Sequence, residues 1–343
     1  MHLTRNAKVY TLISIFIVIA SVYLNLHQKA ASFFVTGKDT STKIHEKPML
    51  SFFGSLFAKF GIMANQSPQL RQIGPGFWNV RASFKLFKII DIGTHMSIIQ
   101  LRNGNFLVID TVEMNDQLKK ELDELTSNGT KIEAVVGVHP FHTLAFPGFY
   151  KLYPNAKYFG TPRHLRNLKD IKWTGQLDDD KESLSKWEPE VELRIPAGAE
   201  YVNPQPEKTN HFVSVFVYHP DSKTLHVDDT LMYAENPGIL FRLFGFKAGT
   251  TMFHPSIKDH GLYPTAEAPL QFRDWMKRLQ EDWNYENLCT AHIGVKAGGA
   301  HAVVEELLKN SEKFFEDLSE RNKKKTPPTV GKQGEWISGN ECG

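Results

Sequence analysis

The chain has 343 residues, is 41% hydrophobic, and carries 40 basic against 38 acidic residues for a net charge of +2; this suits one large globular domain with tails. The even charge balance, broken only by Lys323-Lys324-Lys325, speaks against nucleic acid as a partner. The only cysteines are Cys289 in an apolar run and Cys342 beside the end, which excludes a disulfide framework and a thiolate zinc site, so any metal must be held by His, Asp or Glu.

Residues 1–8 are short and basic, with Arg5 and Lys8 ahead of Val9–Leu26, 18 residues without a charge. That run is long enough to span a bilayer. A cleaved signal peptide competes with this reading, but its apolar region normally runs about 7–15 residues and ends in a small-x-small site; here Asn25-Leu26-His27-Gln28-Lys29 follows instead. The expectation is a signal anchor over 9–26 that contacts the lipid bilayer, with the domain on the lumenal or extracellular side; secretion after cleavage is the alternative. The sequons at Asn65 and Asn128 suit either location. Residues 27–66 read as a linker and an amphipathic segment. Within them Phe52, Phe53, Leu56, Phe57 and Phe60 recur at helical spacing, as in a helix lying on a membrane or packed on the domain. Gly238–Lys247, "GILFRLFGFK", reads as a second membrane contact or as a hydrophobic lid.

The domain proper is expected over 67–321, with a disordered tail over 322–343, rich in polar residues, Gly and Pro. It opens with strand-like runs, "SFKLFKIIDI", "MSIIQLRNG" and "NFLVIDTV", and Asn103-Gly104 signals a hairpin between the last two. Leu118, Leu122 and Leu125 then share a helical face in a segment ending on Gly129. The buried strand "IEAVVGV" follows, then a short helix, a strand at Ala156–Phe159 and another short helix. "WTGQLDDDKESLSKWEPE" reads as an acidic surface loop. The second half gives strands near "VELRIP", "HFVSVFVYHP" and "KTLHVDD", a long helix "APLQFRDWMKRLQEDWN", the strand "ENLCTAH" and a final helix "AHAVVEELLKNSEKFFEDLSE". Strands followed by helices, twice over, point to an α/β fold: a four-layer αββα sandwich of two mixed sheets, carried behind the N-terminal membrane helix.

Polar residues collect at the ends of these strands, where a rigid sheet positions metal ligands and catalytic groups. They are Asp110, His139 and His142, His211, Asp229 and His292. Imidazoles and carboxylates suit zinc, iron or manganese, and a three- or four-ligand site with an open position activates water. His254, Asp259, His260 and His301 read as loop and cap residues, and His164, His219 and His226 show no comparable convergence.

From Gly76 to Ser319 the order of these segments resembles the metallo-β-lactamase fold superfamily. "GNFLVIDT" resembles its first Asp-bearing strand, "GVHPFHTLAFPG" sits where its histidine loop belongs, "NHFVSVFVYHPDSKTLHVDDTLMY" is similar to the stretch from its third His to its bridging Asp, and "NLCTAHIG" to the segment with its last His. The resemblance implies Asp110 behind the ligands, His139 and His211 on a first metal, Asp229 between metals and His292 on a second. The chain departs from the family's His-x-His-x-Asp-His loop, reading His139-Pro140-Phe141-His142-Thr143-Leu144. Phe141, Thr143 and Leu144 thus replace ligands and the Asp that orients water. A less characterised branch, with a His-x-x-His loop and "YPNAK"-like and "DSKTLHVDD"-like segments, is closer.

Two readings follow. In the first the protein is a membrane-anchored hydrolase holding one divalent ion, zinc, iron or manganese, on His139, His142, His211, Asp229 and His292; Asp229 or Asp228 takes the proton. In the second the site has decayed and the scaffold serves as a binding or structural module. The apolar runs at Pro48–Met63 and Gly238–Lys247 suit a lipid-like small-molecule substrate for the enzyme.

Overall fold

The computed structural model describes residues 68–325 apart from 87–89, 179–180, 208–209, 238–241, 243–246 and 293. The expected membrane span over 9–26, the amphipathic run over 48–63 and most of "GILFRLFGFK" lie outside the described residues. Among the described residues no helix is long and apolar enough to cross a membrane.

The first half builds a seven-stranded mixed sheet. Strands β1 (Leu70–Gly74) and β2 (Phe77–Ala82) pair antiparallel. A two-stranded excursion, β3 (Lys85–Leu86) and β4 (Ile90–Asp91), leads to β5 (Thr94–Gln100), which returns beside β2 and turns through Gly104, at φ +83, into β6 (Phe106–Ile109). Helix α1 (Asp116–Thr126) follows, capped by the Asn115 side chain, which accepts from Leu118 N at 2.7 Å. The chain then runs parallel to β6 in β7 (Ile132–Gly137). Its strands β6 and β7 are buried almost throughout, as a sheet covered on both faces requires. Helix α2 (Phe146–Leu152), β8 (Lys157–Gly160), α3 (Pro162–Asn167) and the edge strand β9 (Trp173–Gln176) complete the sheet, with β7, β8 and β9 parallel.

After the one-turn helix α4 (Lys181–Leu184) comes a five-stranded sheet. Strands β10 (Glu192–Arg194), β11 (Phe216–His219) and β12 (Thr224–Val227) are antiparallel neighbours. The small pair β13 (Leu231–Tyr233) and β14 (Thr251–Phe253) precedes α5 (Ala268–Asp282). Strand β15 (Asn287–Thr290) then lies parallel to β12, β16 (Val295–Lys296) closes the edge, and α6 (Ala300–Lys325) ends the described chain.

Alternation along the strands sorts the core into layers. Ile98, Val108 and Val135 pack with Leu118, Leu122, Phe146 and Phe149 of α1 and α2, whereas Ile99, Leu107, Ile109 and Val136 share a core with Val217, Leu225, Val227 and Leu288 of the second sheet. Beyond that sheet, Phe216 meets Trp275 of α5 with ring centroids 5.1 Å apart. Two mixed sheets with helices packed outside them are therefore present, as expected. Three local expectations change. The acidic loop contains β9 and α4, the final helix runs on through Asn322–Lys325 into the expected tail, and of "HFVSVFVYHP" only Phe216–His219 is strand. Asn322 is buried, and its Nδ2 donates to Thr265 O at 2.9 Å, which extends the helix past the last apolar turn.

Candidate metal centre

Because β6 and β7, and likewise β12 and β15, are parallel, their C-terminal ends point the same way, and one cluster gathers the residues that follow them. Asp110 follows β6, His139 and His142 follow β7, Asp228 and Asp229 follow β12, and His292 follows β15. Asp110 holds a left-handed backbone, φ 54, an unusual geometry for a side chain that marks functional sites. Its Oδ1 accepts from Val138 N at 3.0 Å, fixing the start of the histidine loop, and Val215 N bonds Val138 O at 2.9 Å, tying that loop to the second sheet.

The outer group consists of His139, His142 and Asp229, whose donor atoms lie within 4.8 Å of one another. Asp229 Oδ2 is 3.4 Å from His139 Nε2 and 3.9 Å from His142 Nε2. On its other side, Asp229 Oδ1 is 2.9 Å from His292 Nε2, without hydrogen-bond geometry. His292 Nδ1 bonds Gly93 O at 2.7 Å; a carbonyl only accepts, so Nδ1 carries a proton and the ring turns its Nε2 toward Asp229. His211 is set in the same sense, because its Nε2 donates to Glu207 O at 3.1 Å and leaves Nδ1 bare. His139 is the exception. Phe141 N donates to its Nδ1 at 3.1 Å, so its proton sits on Nε2, facing His211 O at 3.3 Å.

The inner group lies deeper, and it brings in residues the sequence left aside. Asp110, His142 and Asp228 form one donor set, and His95, His226 and Asp228 another. His95 and His226 stack with ring centroids 4.2 Å apart, both fully buried. Asn79 Nδ2 faces His95 Nδ1 at 3.3 Å and donates to Ser97 Oγ at 3.0 Å, Ser97 Oγ bonds His226 Nδ1 at 2.9 Å, and His95 Nε2 bonds Asp228 Oδ1 at 2.8 Å. His226 thus does converge with the other candidates. The available signal was period-two spacing: His95-x-Ser97 and His226-x-Asp228 put polar pairs on one face of strands whose neighbours Met96, Leu225 and Val227 are apolar. His254 belongs to none of these donor groups; its Nδ1 accepts from Ser256 N at 3.2 Å as a cap.

The electrostatics are those of carboxylates crowded with imidazoles. Burial alone would lower His142, but the Asp228 and Asp110 carboxylates hold it well above the usual histidine range. Burial would raise Asp229, yet His292 and His139 beside it keep it well below the carboxylate range. Asp228 is pushed well up by burial and by the neighbouring Asp110. Burial, with His142 adding to it, lowers His139, and burial lowers His226 and His211, which favours the neutral rings. Several buried atoms have no hydrogen-bond partner: Asp110 Oδ2, His142 Nδ1, His226 Nε2, Asp228 Oδ2 and Asp229 Oδ1. Unpaired buried carboxylate oxygens are costly, and a divalent cation among them removes that cost. The residues present therefore fit a metal ion.

No family model matches the chain, and no curated protein matches it. Among solved structures the chain is similar to a metallo-β-lactamase from Erythrobacter litoralis, at 14% identity over 77% of this chain and 97% of that one, with a TM-score of 0.45. It is also similar to the metallo-β-lactamase FIM-1 from Pseudomonas aeruginosa in its mono-zinc form, at 12% identity over 75% of this chain and 96% of that one, TM-score 0.47. A third, from Hirschia baltica, is 13% identical over 74% of this chain and 98% of that one, TM-score 0.47. The likeness is one of fold alone.

Proposed function

We propose that this protein is a metal-dependent hydrolase that holds a divalent ion, zinc, iron or manganese, in the outer group and is anchored to a membrane through residues 9–26. The observation that carries metal binding is His142. Its Nε2 stands 3.9 Å from Asp229 Oδ2, which is 3.4 Å from His139 Nε2, and the three residues bring donor atoms within 4.8 Å of one another. His142, Asp229 and His139 would hold the ion, with His292 and His211 beside them. An ion there supplies Lewis-acid activation of water.

The chain's own residues set what reaches that water. His142 is 14% and His292 11% exposed, whereas Asp110 and Asp228 are closed off, so solvent enters on the outer side. Of the two carboxylates read as proton acceptors, Asp229 belongs to this outer group and Asp228 to the inner one, which makes Asp229 the acceptor here. Beside the site Phe141 stacks on His211 at 4.4 Å, and the Arg163 guanidinium lies over the Phe141 ring, 4.6 Å from its centroid. Leu144, on the same loop, is 78% exposed. A rim that joins Leu144 and Phe141 to the Arg163 guanidinium suits an ester, amide or phosphoester with a lipid-like portion.

One observation favours the second reading, a binding module with a decayed site. The Phe141 N–H holds His139 in the tautomer that cannot ligate through Nε2. Metal analysis of the full chain in detergent, before and after reconstitution and beside Asp229→Asn, separates the two. The hydrolase reading expects bound metal, loss of one equivalent in Asp229→Asn with the melting transition retained, and ester or phosphodiester turnover that follows the metal. A folded wild type that takes up no metal sinks it, and metal without turnover over a broad substrate panel removes the hydrolase and leaves the binding protein.

A further inference from the structure

We infer that the protein holds a second ion in a closed inner cage made by Asp110, His142, His226 and Asp228, where it cross-links the two sheets. The cage does not rest on the outer ion. Its four donors form a ring. Asp110 Oδ2 is 3.8 Å from His142 Nδ1, which is 3.3 Å from Asp228 Oδ1; that oxygen is 3.8 Å from His226 Nε2, which is 3.9 Å from Asp110 Oδ2.

These separations favour a metal cage over a ring of short hydrogen bonds. A charge-assisted hydrogen bond brings N and O to about 2.7–2.9 Å, and every edge of this ring is longer. Donors at about 2.0–2.2 Å from a tetrahedral ion stand roughly 3.3–3.6 Å apart, and the four edges of the ring, at 3.3–3.9 Å, lie close to that spacing. Asp110 Oδ2, His142 Nδ1 and His226 Nε2 have no hydrogen-bond partner although all are buried, and they face one another.

What stands behind the donors points the same way. Val138 N holds Asp110 Oδ1 at 3.0 Å and Ser97 Oγ bonds His226 Nδ1 at 2.9 Å, each on the atom turned away from the ring, while His95 Nε2 fixes Asp228 through Oδ1 itself at 2.8 Å and leaves Oδ2 unpaired. Supporting partners of this kind orient metal ligands and fix their tautomers. Two carboxylates and two imidazoles match the charge and softness of a divalent transition ion. Asp110, His226 and Asp228 are fully buried, and a closed four-ligand shell is the mark of a structural site, in contrast to the outer group with its solvent edge. Asp110 and His142 follow strands of the first sheet, and His226 and Asp228 come from β12 of the second. His142 turns Nδ1 to the cage and Nε2 to Asp229, so it faces both ions.

The test is the zinc stoichiometry of the chelator-stripped full chain in detergent, for wild type, His226→Ala and Asp229→Asn, repeated with cobalt(II) to resolve the equivalents by their visible spectra. Two equivalents in the wild type and one in each variant is the expected result, with chelation lowering the wild-type melting temperature more than that of His226→Ala. A single wild-type equivalent that survives His226→Ala and disappears in Asp229→Asn overturns the cage and leaves the outer site standing. A single equivalent with the opposite pattern keeps the cage and removes the outer site; no bound metal removes both. If His226→Ala loses its cooperative melting transition, His226→Gln replaces it, and a wild type saturating at one equivalent that Asp229→Asn abolishes still overturns the cage.

Discussion

Asp110 combines a backbone that resists folding with a side chain that repays it. Its left-handed φ of 54 costs a non-glycine residue about 1–3 kcal/mol, while its Oδ1 satisfies the buried Val138 N. Asparagine keeps both the tolerance of that backbone region and an acceptor oxygen, and alanine keeps neither. Urea denaturation of the metal-stripped chain should therefore show Asp110→Ala destabilised by about 2–4 kcal/mol and Asp110→Asn by clearly less; equal losses would show that the Val138 bond contributes little. Asp110 was legible because it closes a strand, and so were His139, His142, Asp229 and His292. His95 and His226 were not, because they sit inside strands, and a polar residue within an apolar run reads as a satisfied core residue until the facing sheet is known. The sequence placed Leu144 where the family has a ligand, and the structure leaves it exposed; only the structure shows that Phe141 N–H bonds the Nδ1 of His139.

Helix α1 shows what local chemistry specifies without tertiary help. Leu118 and Leu122 are its buried stripe, the Asn115 oxygen closes its N-terminus, and Ser127, at φ 54, ends it ahead of Gly129. Asn115→Ala should cost about 1 kcal/mol in chemical denaturation and leave metal content unchanged, since the helix packs on the face of the first sheet away from the second; a change in metal content would mean that α1 positions the cluster. Periodicity made α1, α5 and the body of α6 readable. It failed for β9, whose Trp173–Gln176 becomes a strand only by lying parallel to β8, and for the end of α6, where Lys323-Lys324-Lys325 looks like a solvated tail although Asn322 is anchored to Thr265. Strands β11 and β12 were placed correctly in order, but the stretch from His211 to Val215 is held by the Val138 and Thr230 contacts of a particular loop arrangement, which no local pattern encodes.

In the whole molecule the donors come from both sheets and exist as a set only in the folded state. A metal ion should therefore bind the native chain and not the unfolded one. Adding zinc at about one hundred times its dissociation constant should raise stability by about 2.7 kcal/mol per independent site. Differential scanning calorimetry would read this as a concentration-dependent rise in melting temperature, and a transition indifferent to zinc would mean that the cluster takes up no ion. Chain order adds a schedule. A ribosome that has delivered Asp229 has already delivered Asp110, His142, His226 and Asp228, whereas His292 emerges only after α5 and β15. Because β12 finds its neighbour β15 only after α5 has been made, the donors on β12 are fixed late, and any ion would be loaded only onto a nearly finished chain.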